Sequence, residues 1–229
     1  MGTITGTAII NKAATQLLDT ANTRWTRTEL LGWLNDAQRQ VVLMQPNSNS
    51  TTVAVRLVAG TRQAIPVDGW LLLDIYRNMG TNGATPGRVV RIVSRQLIDA
   101  QMPTWHASAA SSTAQNYVYD IQDQTAFYVY PPSDGTGYVE VNYSRVPADL
   151  TTEASTIAVN DVLETTLLDY VLFRANSKDA EYAPGFQLAQ GYWTAFTAAL
   201  GAKDKAETTN NVNQTLGPAK GQPEPGATS

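Results

Sequence analysis

Thr26-Arg27-Thr28-Glu29 opens the stretch whose reading decides the fold, and Leu30, Leu34, Ala37 and Val41 follow it at helical spacing. A threonine with a glutamate three residues later is a capping box, in which the two residues satisfy each other's orphan amides at a helix start. The apolar residues lie on one face, and Trp33 and Val42 widen it. Pro46 and the polar run Asn47-Ser48-Asn49-Ser50 stop the helix. The residues before it offer a partner. Ile9, Ala13 and Leu17, widened by Ile10, Ala14 and Leu18, predict a first helix over 5–19. The short link around 21–25 favours an antiparallel pair.

A second helical pair lies far along the chain, its first helix starting near Asn160 or Asp161. Asp161 and Glu164 read as a D-x-x-E start, with acid at the positive end of the helix dipole. Leu163, Leu167, Val171 and Leu172, with Leu168 and Ala175, form a broad apolar face behind them. Pro184-Gly185 reads as a break, followed by a helix over 186–200 that carries Leu188, Tyr192, Trp193 and Phe196, with Gly201 as its stop. Each pair can bury only one side, so the two pairs need each other.

The middle of the chain alternates and turns. Val53, Val55 and Leu57 read as one strand face; Gly60 turns the chain, and 63–65 reads as the returning arm of a hairpin. Strands are expected at 70–76 and 88–93, a short helix at 94–101 with Leu97 and Ile98 inward, then a hairpin of 117–121 and 127–131 turning at Gln122-Asp123-Gln124. A last strand is expected at 138–143. Gly80-Thr81-Asn82-Gly83 and Pro86-Gly87 read as a loop tip. The expected class is therefore α+β: a four-helix frame of two remote pairs, a mostly antiparallel β-domain insertion, and an extended C-terminal tail. The boundaries are 1–46 with 160–202 for the helical unit, 47–159 for the β unit and 203–229 for the tail. The tail's charges cancel, and Val212 and Leu216 are its only large apolar groups. Such a segment does not fold alone. Val212, Leu216, Lys203 and Lys205 are its candidate contact residues.

Little chemistry is available. At 229 residues and 43% hydrophobic content the chain can bury a full core without staples. Zero cysteines exclude disulfides, zinc–thiolate clusters and a thiol nucleophile. The single histidine, His106, would have to serve any Ser-His-Asp triad, and Ser108, Ser111 and Ser112 lie in no G-x-S-x-G context. The 80–87 glycines open no amphipathic helix, which removes the phosphate-binding loop reading. Asp120 and Asp123 sit at a turn, where Asp is expected for backbone reasons, and lack calcium-loop spacing. No catalytic residue, cofactor or metal site is predicted. With 16 basic residues against 20 acidic ones, the chain lacks the basic stripe of a nucleic-acid binder; Arg88, Arg91 and Arg95 form the only local cluster and read as a solvated strand face. Met1-Gly2-Thr3-Ile4-Thr5 does not read as a targeting segment, and the longest apolar run, Trp70-Leu71-Leu72-Leu73, is far too short to span a membrane. A soluble protein made in the cytoplasm is expected.

The run Thr166-Leu167-Leu168-Asp169-Tyr170-Val171-Leu172-Phe173-Arg174-Ala175-Asn176-Ser177-Lys178-Asp179-Ala180-Glu181, with Tyr192, Phe196 and Leu200-Gly201 after it, resembles the C-terminal helical pair of tailed-bacteriophage head-to-tail adaptors, the portal adaptor family that includes tail tubular protein A. The opening run Trp25-Thr26-Arg27-Thr28-Glu29-Leu30-Leu31-Gly32-Trp33-Leu34-Asn35-Asp36-Ala37-Gln38 resembles that family too. Leu73-Asp74-Ile75-Tyr76-Arg77-Asn78-Met79-Gly80 and Tyr130-Pro131-Pro132 sit where the family keeps similar text. The resemblance implies a non-enzymatic virion protein of the tail or neck, made in the bacterial host. It implies a ring of about twelve copies that docks below the portal protein. Such a ring extends the channel for double-stranded DNA and gives tail or nozzle proteins a platform. It also implies that the helical bundle lines the channel and that the C-terminal segment reaches the portal or a neighbouring subunit. Another neck or tail-completion ring protein is the nearest alternative. A carboxylate-based cell-wall hydrolase and a glycan-binding module built on the tyrosine-rich sheet are the rivals from other classes.

Overall fold

The computed structural model describes residues 2–178 and 183–209. Helix α1 spans Gly6–Gln16 and α2 spans Arg27–Met44, and α2 begins with the full reciprocal capping box of Thr26 and Glu29. The first helix is shorter than its pattern suggests. Leu18 adopts a left-handed φ of 54° and is 92% exposed, so it leaves the apolar stripe instead of extending it. The turn that follows is organised by Asp19, whose carboxylate accepts from the amides of Thr23, Arg24 and Trp25.

Helix α4, which with α5 is the second pair, spans Glu164–Lys178 and follows one 3-10 turn, Asp161–Leu163. That turn is capped by Asn160, whose side chain accepts from the Val162 amide at 3.0 Å. Asp161 is therefore not the cap expected from the sequence. It accepts instead from the amide and hydroxyl of Thr3, at 2.7 and 2.6 Å, and ties the N-terminal segment to the second pair. Helix α5 spans Ala183–Thr209. Pro184 lies in its first turn, where a missing N–H removes no hydrogen bond, so the proline starts this helix where a break was expected. Gly201 does not stop it. The Leu200 carbonyl accepts from Gln45 Nε2 at 2.6 Å, and Lys203 and Glu207 pair one turn apart, also at 2.6 Å. Lys203 and Lys205, expected on an extended tail, are therefore helical residues; Val212 and Leu216 lie outside the described residues.

Ile10, Leu34, Val41, Leu167, Leu172 and Phe196 are buried in one cluster to which α1, α2, α4 and α5 all contribute. Leu150, Ile157 and Val159, left with the β part by the sequence reading, belong to this cluster. The chain from 147 to 160 acts as a strap over the first pair. Asn35 and Leu150 exchange two hydrogen bonds, Gln38 Oε1 accepts from the Ala158 amide at 2.6 Å, and Arg27 and Arg39 pair with Glu153 and Asp149.

Seven strands, β1 Ser50–Arg56, β2 Gly60–Ala64, β3 Gly69–Asn78, β4 Arg91–Ile92, β5 Asn116–Tyr119, β6 Ala126–Ser133 and β7 Tyr138–Arg145, form two sheets of order β1-β7-β3 and β2-β6-β5-β4. All pairings are antiparallel except β4 with β5. The hairpin expected around Gly60 does not form. Strand β1 pairs with β7 (Val53 opposite Val141), and β2 pairs with β6 (Gln63 opposite Phe127). The Gln63 side chain fills the turn, accepting from the Val58 amide and donating to the carbonyls of Val58 and Gly60, which routes the chain into the other sheet. The strand at 138–143, expected as a last one, is the centre of its sheet. Only Arg91–Ile92 of the expected 88–93 strand is regular. Val89 bridges to Arg77 of β3 while Arg91 and Val93 donate to β5, so this segment crosses from one sheet to the other. In the short helix α3, Arg95–Gln101, Ile98 is buried but Leu97 is 48% exposed.

Both sheets contribute to a second cluster that includes Leu57, Ile75, Phe127, Val129, Val139 and Val141. Tyr117 and Tyr143 bury their rings and keep a hydroxyl partner. Tyr117 donates to Asp74 and Tyr143 to Asp68, each at 2.9 Å, and burial with the nearby carboxylate pushes the Tyr143 phenol up to about 12. Gly69 is required by close approach: a Cβ there would lie 2.6 Å from the Tyr143 ring. Replacing Phe196 by Ala should cost about 3–5 kcal/mol by urea denaturation, because it empties the centre of the helical cluster. Thr26→Ala, which removes only the cap, should cost about 1 kcal/mol.

Candidate assembly surfaces

Two exposed faces gather apolar side chains on separate elements. The first is a groove of 660 Å³ on the helical frame, lined by Gln40 of α2, Tyr170 and Phe173 of α4, and Phe186, Gln190 and Trp193 of α5. The aromatics meet edge-on or tilted. Ring centroids of Tyr170 and Phe196 lie 5.3 Å apart, and those of Phe173 and Trp193 lie 5.1 Å apart. Phe196 closes the inner end in the core, whereas Phe186 is 52% exposed at the outer end. The spacing of Leu188, Tyr192, Trp193 and Phe196 predicts a helix but does not separate an aromatic that meets another helix from one that meets solvent, because both lie on one face of α5.

Asp169 lies one helical turn before Phe173, on the same side of α4. It is half-buried and has no hydrogen-bond or ion-pair partner among the described residues. Burial pushes its carboxyl above the ordinary 3.8.

The second face is the crossing segment and the start of α3. Val89, Ile92 and Leu97 are each about half exposed or more, and Arg88, Arg91 and Arg95 interleave with them. Arg95 pairs with Asp99 one turn on, at 3.5 Å. The side chains of Arg88 and Arg91 have no partner among the described residues. The basic cluster noted in the sequence is thus exposed, as expected, but it carries an apolar strip that a simple solvated face would lack. Strand β4 sits at the edge of its sheet, and Ile92 turns its N–H away from β5.

The remaining candidates have structural occupations. His106 stacks on Trp105 at 3.6 Å, and its Nδ1 lies 2.9 Å from Thr61 Oγ1, so its polar contact is with a threonine of β2 and not with Ser108, Ser111 or Ser112. Asp120 accepts from the Gln122 amide and Asp123 pairs with Arg62 at 3.0 Å. Among the described residues no group of three or more His, Cys, Asp or Glu side chains is placed to hold a metal ion, and no helix is long and apolar enough to cross a membrane.

A four-helix frame and a two-sheet β part strapped to it make an α+β protein with two separate exposed apolar faces. The comparison with known families gives its class, the bacteriophage head-to-tail adaptors. The family model of the SU10 adaptor protein matches residues 4–218, and the chain belongs to that family. No curated protein matches the chain.

Asp169 gives a prediction for the free subunit. Its folded-state pKa lies above the unfolded value, so its ionisation opposes folding. The associated stability is present at low pH and is lost as pH rises beyond about 3.8. Asp169→Asn should therefore be more stable than the parent at neutral pH, and the gap should close below about pH 4. Urea denaturation of both proteins at the two pH values checks this.

Proposed function

We propose that the chain closes into a ring of about twelve copies beneath the portal protein, at the neck of the virion. The helical frame lines the passage for double-stranded DNA, and the β part faces outward, giving tail or nozzle proteins a platform. The role is structural and involves no catalysis or cofactor. The observation that carries this reading is the family match over 4–218, which spans both the helical frame and the β part. Charge supports it: 20 acidic residues against 16 basic ones suit a wall past which DNA must slide, since each neutralised phosphate adds affinity that would hold the DNA back. A closer likeness to tail tubular protein A belongs to the same proposal. A neck or tail-completion ring would keep this class and change only the neighbours.

The C-terminal residues are the proposed contact with the portal or a neighbouring copy, with Lys203 and Lys205 on the last turns of α5 and Val212 and Leu216 as apolar anchors beyond it. Light-scattering mass should show rings when the chain is mixed with its cognate portal. A chain that remains monomeric and ignores the portal would remove the adaptor role. Deleting 210–229 should leave helical content and melting nearly unchanged and weaken portal docking; docking at full strength would sink the proposed C-terminal contact.

A further inference from the structure

We propose that the aromatic groove of one copy receives the apolar–basic strip of the next copy, Val89, Ile92 and Leu97 entering it and Arg88 and Arg91 meeting Asp169 and the aromatic faces at its rim. The inference rests on the ring reading above and names the surface that closes the ring.

Three observations carry it. The two faces share no residue, because the groove belongs to α2, α4 and α5 while the strip belongs to the sheet-crossing segment and α3. One copy can therefore offer both at once, which a head-to-tail ring contact requires and a two-fold contact does not. Their charges are complementary. Asp169 lies one turn before the groove-lining Phe173, half-buried and unpartnered among the described residues, and the strip carries two exposed guanidiniums that also have no partner among them. Finally, the ligand chemistry of the groove matches the strip's composition. Phe173, Phe186 and Trp193 present ring faces that take both apolar side chains and guanidinium planes, and Arg is the preferred cation on such rings.

Asp169 also explains itself on this reading. An ionised carboxylate without a partner is a cost in the free subunit, and a neighbour's arginine would offset it by charge-assisted hydrogen bonding. The exposed apolar side chains would lose water in the same step.

The test uses the absence of native cysteine. Ile92→Cys and Phe186→Cys are placed at exposed positions, singly and together, and the full chain is assembled on its cognate portal and treated with a flexible bis-maleimide. The double variant should give a ladder of covalent oligomers, and each single variant should give nothing beyond dimer. In parallel, Arg91→Glu should lower ring yield by about tenfold, and adding Asp169→Arg to it should restore most of that yield. Normal rings with no ladder from the double variant, and no rescue by the charge swap, would overturn this interface and leave the ring standing. Failure of the parent chain to form rings at all would remove the ring reading and this interface with it.

Discussion

Helices from the two ends of this chain can bury their apolar stripes only against each other. The first pair ends at Met44 and the second begins at Glu164, so the frame has to close a loop that contains all seven strands. Closing a long loop is entropically costly, though the cost rises slowly with length. The contacts that offset it are specific as well as apolar. Trp25 donates its indole N–H to the Ala175 carbonyl, Lys178 reaches Glu29 of the capping box, and Gln45 caps the Leu200 carbonyl. Each joins the first pair to the second, and the same glutamate that starts α2 also holds the end of α4.

The β part depends on that closure. Its central strand β7 leads directly into the strap that covers the first helical pair, and Trp70 of β3 packs against the helical cluster. The strap has little regular structure, and most of its binding comes from side chains of α2: Asn35, Gln38 and Arg39 are close on one surface of that helix and take successive parts of it. Burying Gln38 completely would be costly without a partner, and the Ala158 amide supplies one for its oxygen. The β part is thereby tied to the frame by side-chain hydrogen bonds and ion pairs along the strap.

The parts of the fold legible in the sequence were those governed by local rules. The capping box at Thr26, the alternation in β6 and β7 and the turn at Asp123 all report their own surroundings. The errors came where distant groups decided. Asp161 has the spacing of a cap, but the N-terminal segment reaches it first. Gly201 looks like a helix end, but the helix runs through it to Thr209, and the carbonyl just before it accepts from Gln45 of the first pair. Gly60 looks like a hairpin turn, but the Gln63 amide closes it in a shape that sends the strands to different sheets. The candidate surfaces were half legible. The arginine cluster was visible as a cluster, whereas Asp169 looked like any helix-surface acid, because its lack of a partner is a property of the packed neighbourhood and not of spacing.

Exposed apolar side chains are common on soluble proteins, so Phe186 or Ile92 alone says little about assembly. At the two faces unpaired charge accompanies the apolar exposure. Among the described residues Asp169, Arg88 and Arg91 have no hydrogen-bond or ion-pair partner. Asp169 lies one helical turn from the groove-lining Phe173, and Arg88 and Arg91 alternate with the exposed Val89 and Ile92. Other charged groups of the frame are engaged: Asp19 takes three amides, and ion pairs join α2 to the strap and to α4. Unsatisfied buried polar atoms also occur at Asn22, Gln38, Asn142 and Arg145, so the opposite sign of the two faces carries more weight than the lack of partners. In the proposed ring that difference would give specificity, because the wrong pairing would set like charges against each other.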